Sequence, residues 1–257
     1  MFQTFGHPRA AFPIASPVAA VNLPVYAYVS SRSAARRRLV GISADFSASV
    51  SAVVPVTMYT APSTSDGVLV VPGLVRGSTD TKLASVAFTF IRDRTAYHKD
   101  VDAVGVDLAP GTIPADKWGL YLVTITSARV IATVAAAANF TTGYDSEVLA
   151  EAAIPDTPSD VTRIGYITVL TNSGNDFIGG TDSRAGGASG NVATTTNYND
   201  DTAVTLTQIG APFRWDFTTD PFHLTLPAPY ASEIGQALVL LLAASSGVSG
   251  RVSAWVS

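Results

Sequence analysis

The chain has 257 residues, a length for one large or two modest domains, and 47% of them are apolar against only 14% charged. That balance excludes a disordered chain, and the absence of cysteine excludes disulfides, zinc thiolates and thiol nucleophiles. A net charge of -4 gives no overall basic surface, so nucleic acid is not expected as a partner. The most apolar stretches, Val130 to Ala138 and Ala237 to Ala244, are too short for a bilayer-spanning helix, so no membrane association is expected.

Residues 1–24 place Pro8, Pro13, Pro17 and Pro24 among small residues, with Phe2, Phe5 and Phe12 interleaved. Proline blocks helix, so an extended arm is expected, and three phenylalanines imply that it lies on a surface of its own domain or of a neighbouring chain. No cationic segment precedes an apolar run here, and no signal peptide is expected. Arg36, Arg37 and Arg38 form the only basic run, read as a solvated edge or a contact for an acidic partner.

From Leu39 onward the apolar pattern has period two, which sends alternate side chains to opposite faces of a sheet. Strands are predicted over Leu39 to Val50, Val53 to Tyr59, Val86 to Phe90, Tyr121 to Thr126, Arg129 to Ala135 and Arg163 to Thr171. Others are predicted over Phe213 to Phe217, Phe222 to Leu226, Gln236 to Ala243 and Gly250 to Val256. One short helix is predicted over Ser146 to Ala153, capped by Asp145 and stopped by Pro155, with Val148 and Ala152 stacked on one side. Many strands with almost no helical crossover indicate an all-β fold of antiparallel sandwich or jelly-roll-like domains. Gly174 to Asn199 is Gly- and Asn-rich, and reads either as a binding loop that offers Phe177 and Tyr198 to a partner or as a mobile segment.

Chemistry-bearing patterns are absent from the sequence. No G-x-S-x-G, Walker A or G-x-G-x-x-G spacing occurs, and His7, His98 and His223 stand far apart. Asp100, Asp102 and Asp107 with Gly105 resemble the start of a calcium loop, but Val104 and Gly111 occupy positions that need oxygen ligands. Asp145 with Glu147, and Asp200 with Asp201, read as solvated loop charges, and the sequon at Asn139 as an accidental match. No catalytic residue, metal site or cofactor is expected.

Four phrases carry a family resemblance: "GTIPADKWGLYLVTI" at Gly111 to Ile125, "NFTTGYDSEVLAEAAIPDTP" at Asn139 to Pro158, "IGYITVLTNSGNDFIGGTDSRAGG" at Ile164 to Gly187, and "TTNYND" at Thr195 to Asp200. In that order they resemble a recurrent kind of tailed-bacteriophage virion protein. Where such proteins often carry Leu after "GGTD", this chain has Ser183-Arg184. A second resemblance joins the ends: Arg37 to Ala61 and Phe213 to Ser257 look like the two halves of a small virion β-sandwich.

The resemblance implies an arm over 1–24, a discontinuous β-sandwich domain from 25–77 plus 201–257, and an inserted virion-protein module over 78–200. It implies a non-enzymatic capsid decoration or cement protein, made in the host cytoplasm and carried on the capsid surface. Its expected partners are the major capsid protein or other virion proteins and its own copies, with a trimer by family analogy. A fibre or receptor-binding protein contacting saccharide, and a secreted carbohydrate-active enzyme, are the alternative readings.

Overall fold

Runs of β-branched and aromatic residues broken by Gly, Pro, Asn and Asp dispose the chain to short extended segments. The computed structural model describes residues 10–14, 24–30, 37–46, 53–62, 66–93, 95–187, 190–216, 223–232, 236–243 and 250–256. Over these the protein is all-β, antiparallel and sandwich-like, with one short helix.

In chain order the first strands are β1 (Ala10–Ile14), β2 (Pro24–Ser30), β3 (Arg37–Phe46), β4 (Val53–Pro62), β5 (Gly67–Val68), β6 (Val75–Arg76) and β7 (Lys82–Ser85). Next come β8 (Phe88–Arg92), β9 (Thr95–Lys99), β10 (Asp102–Asp107), β11 (Gly111–Ile113), β12 (Trp118–Ile125) and β13 (Ile131–Ala135). Helix α1 (Glu147–Glu151) precedes β14 (Thr162–Thr171), β15 (Phe177–Gly179), β16 (Val192–Asp200) and β17 (Thr207–Gln208). The chain closes with β18 (Phe213–Asp216), β19 (His223–Ser232), β20 (Gln236–Ala243) and β21 (Gly250–Val256).

Two compact units result, Met1–Leu69 with Thr89–His98 and Val204–Ser257, and Val70–Phe88 with Lys99–Ala203. In the first unit, one sheet has the order β1-β21-β3-β19, and a second has β17-β4-β20-β2 with β18 also on β4. Both sheets draw strands from the two ends of the chain. Thr89–His98 belongs to this unit, where Leu69, Ile91 and Ala96 form a small core joined by Tyr59, Val204 and Leu206. The two chain ends share one unit and the middle of the chain forms the other, with cuts after Leu69 and Ala203 and with Thr89–His98 in the first unit.

Within the expected arm, residues 10–14 form an edge strand on a sheet of their own chain, with Ala10 opposite Ala254 and Ile14 opposite Gly250. An edge tolerates Pro13, whose nitrogen has no hydrogen to give a ladder. Residues 1–9, with Phe2 and Phe5, and residues 15–23 lie outside the described residues.

The second unit is built on the sheet β13-β12-β14-β16. The predicted alternation of β12 is buried on both faces: Leu120, Tyr121, Leu122, Val123, Thr124 and Ile125 are all buried. The strand is covered on both faces, which removes the polar half of the alternation. On one face α1 packs through Ala150 against Leu120, with Trp118, Tyr144, Ile154 and Tyr166 around them. On the other face lies the pair β11 and β15, where the Ile113 side chain occupies the space above Gly119.

The helix also differs from its prediction. Its cap is Ser146, whose Oγ accepts from the Leu149 amide at 3.3 Å, not Asp145. Val148 is 72% exposed, so the buried side is Ala150 and not the Val148 and Ala152 stack. Polar anchors hold the helix instead: Glu147 Oε1 accepts from Thr168 Oγ1 and Asn197 Nδ2, both at 2.6 Å, and Glu151 Oε1 accepts from Tyr166 Oη at 2.9 Å.

Gly174 to Asn199 is corrected from one loop to a strand, a connection and another strand, β15 and β16. Asn197 and Tyr198 sit in β16 opposite Thr168 and Ile167, so the Asn-rich phrase serves a sheet. Asn139, the formal sequon, is fully buried: its Oδ1 accepts from the Leu120 amide at 2.9 Å and its Nδ2 donates to the Leu120 carbonyl at 2.7 Å. The side chain thus continues the β12 ladder one step past the end of β13. Asn139→Ala strands the Leu120 amide in the core and is expected to cost roughly 1 to 3 kcal/mol, read by urea denaturation.

Candidate functional site

The predicted contact residues that are described fall in both units. Phe12 lies in β1 opposite Val252, and Arg37 and Arg38 lie in β3 opposite Ser232 and Ala231. Phe2, Phe5 and Arg36 are outside the described residues. Phe177 has no exposed surface, because β15 turns it into the core, and so it offers nothing to a partner. Only Tyr198 has a notable setting.

The carboxylates set aside in the sequence are engaged, not merely solvated. Asp200 Oδ1 accepts from the Leu74 amide at 2.8 Å, and Asp201 Oδ2 takes Arg163 Nε at 2.7 Å. Asp145 is bonded by Lys117, whose hydrogen bond and charge hold its carboxyl below the ordinary range. His98 is buried with Nδ1 3.4 Å from Thr89 Oγ1. Asp102 accepts from the Gly105 amide within β10, and among the described residues no group of three or more His, Asp or Glu is placed to hold a metal.

A polar cluster surrounds Arg184. By register, Tyr121 of β12, Ile167 of β14 and Tyr198 of β16 are consecutive partners across the sheet, so their side chains share one face. Two strand spacings separate the tyrosines, roughly 10 Å. Arg184 lies over the Tyr198 ring, with Cζ 5.8 Å from its centroid. Its backbone amide donates to the Asp80 carbonyl at 2.9 Å, which fixes the turn after β15.

Arg184 is only 2% exposed, yet Nε, Nη1 and Nη2 have no hydrogen-bond partner among the described residues, and neither has the buried Tyr121 hydroxyl. The carboxylate that reaches it electrostatically, Asp80, makes its contacts with Arg76 at 3.2 Å and Ser183 Oγ at 3.3 Å. Burial pushes the Arg184 guanidinium below its ordinary value and both phenols above theirs, while the Arg184 charge draws the phenols partly back. The sequence held one signal for this cluster, the departure at Ser183-Arg184 from the resembled phrase. Nothing in the spacing of Tyr121 and Tyr198 announces that they share one face of the sheet.

A second feature is apolar. Val75 in β6 and Val104 in β10 are exposed, as are Val71, Val86 and Val101 beside the sheet β10-β7-β6. Asp102 pairs with Ser85, which sets Val101 opposite Val86, and the Val86 amide donates to the Pro72 carbonyl next to Val71.

The phenol of Tyr166 is pushed up to about 12 by burial first and then by its bond to Glu151. An unfolded tyrosine ionises near 10, so between 10 and about 12 the unfolded chain binds fewer protons and stability falls as pH rises. Tyr121 and Tyr198 are raised in the same direction. Alkaline unfolding followed by tyrosinate absorbance is expected to begin above about pH 10, and Tyr166→Phe to flatten the slope.

No family model matches the chain, and no curated protein or solved structure matches it.

Proposed function

We propose that the protein is a structural component of a tailed-phage particle, a capsid decoration or cement protein that works by adhesion and not by catalysis. The observation that carries this reading is the set of exposed valines on and beside the small sheet β10-β7-β6 of the second unit, with Val101 61% and Val104 64% exposed. Aliphatic side chains gathered on a sheet surface are favourable only when another surface covers them. The ordered phrases between Gly111 and Asp200, which resemble those of virion proteins, support the same reading. Its partner is then the major capsid protein or another virion protein.

Co-sedimentation of the purified chain with phage particles lacking it tests the reading. The unaltered protein is expected to bind the particle, and Val101→Asp with Val104→Asp to weaken binding at least about tenfold, the equivalent of about 1.4 kcal/mol. Equal binding by the variant, with its melting unchanged, would remove the valine sheet from the interface.

A further inference from the structure

Arg184 stands apart from that surface. A cation this deeply buried needs a counter-charge and hydrogen-bond acceptors, since an uncompensated buried charge is among the costliest features a fold can hold. Tyr198 offers only the face of its ring, which balances part of the charge and satisfies none of the five guanidinium hydrogens. The three interacting ions beside it, Arg76, Asp80 and Arg184, sum to one net positive charge, and Asp80 is occupied by Arg76 and Ser183. Donors outnumber acceptors: among the described residues the guanidinium nitrogens and the Tyr121 hydroxyl have no partner. A group with two or more acceptor oxygens and one negative charge meets both deficits, and a planar guanidinium fork matches such a group in bidentate fashion.

We propose that Arg184, lying over Tyr198 on the sheet face that also carries Tyr121, is the seat of a buried site for one small oxyanion, a carboxylate or inorganic phosphate. Arg184 supplies the charge and the fork, the Tyr121 hydroxyl donates a further hydrogen bond, and Tyr198 backs the guanidinium. The site uses residues of the second unit alone and does not depend on the valine sheet.

Isothermal titration calorimetry of the full chain near pH 7 tests this, with sodium acetate and sodium phosphate in separate arms and sodium chloride balancing ionic strength. Saturable binding at one site per chain is expected in at least one arm, and which arm responds identifies the oxyanion. Tyr121→Phe, which keeps the ring and the packing, is expected to weaken it roughly tenfold. Arg184→Leu is expected to abolish it. Should Arg184→Leu fail to fold, the side-chain Nε–Hε resonance of Arg184 in Tyr121→Phe and in the unaltered chain reads the same titration. Absence of saturable binding in both arms, or binding that Tyr121→Phe and Arg184→Leu leave unchanged, overturns the proposal.

Discussion

Phe177→Ala is expected to lower the stability of the second unit by roughly 3 to 5 kcal/mol. Phe177 is among the largest fully buried side chains of the described residues and pairs by register with Ile113, itself fully buried. The pair β11 and β15 covers the face of the main sheet that carries Tyr121, so the cavity left by the lost ring opens beneath a two-stranded ribbon with little else to collapse into it. Urea denaturation followed by fluorescence should show a lower midpoint at an unchanged slope. A loss below about 1 kcal/mol would show that the ribbon is not docked on the sheet.

The second large effect is expected at Gly105. Its φ is +81°, and an added Cβ would stand 2.3 Å from the Leu83 carbonyl oxygen, at the register shift between Asp102 and Val106 where β10 bulges against β7. Gly105→Ala combines left-handed strain of about 1 to 2 kcal/mol with overpacking of about 1 to 3 kcal/mol against backbone that cannot swing away. Gly174 is the control: its φ is +76° but nothing lies within 4 Å, so Gly174→Ala is expected to show the strain alone, about 1 to 2 kcal/mol. Equal costs at the two sites would contradict the close packing of β10 on β7. The bulge also sets Val104 on the exposed valine sheet, so Gly105→Ala should weaken particle binding as well.

The long apolar strands were legible in the sequence because few arrangements bury them. Gln236 to Ala243 and Gly250 to Val256 are found with those bounds, and β4 and β14 within a few residues. Strand β12 was legible as a strand but not as a doubly covered one, since its threonine reads as a solvent-facing residue until α1 and β11 are placed. Strand β16 was hidden because Thr195-Thr196-Asn197-Tyr198-Asn199-Asp200 has the composition of a turn, and only its neighbour β14 makes it a strand. Two-residue strands such as β6 and β17 carry no periodicity at all.

The polar interior was the least legible part. Asn139 looks like a surface acceptor in sequence, yet its two amide atoms complete a backbone ladder. Arg184 looks like one more loop charge, and it is buried because the turn after β15 lays it over the Tyr198 ring of β16. Such meetings depend on register between strands distant in the chain, which local pattern does not encode.

Immunogold labelling of density-purified phage particles, with an antibody raised against the full chain and viewed in negative stain, tests the central claim most directly. A capsid decoration protein gives gold evenly distributed over the heads. Label confined to tail fibres, or a particle fraction without label while the free protein carries it, would contradict a capsid decoration protein.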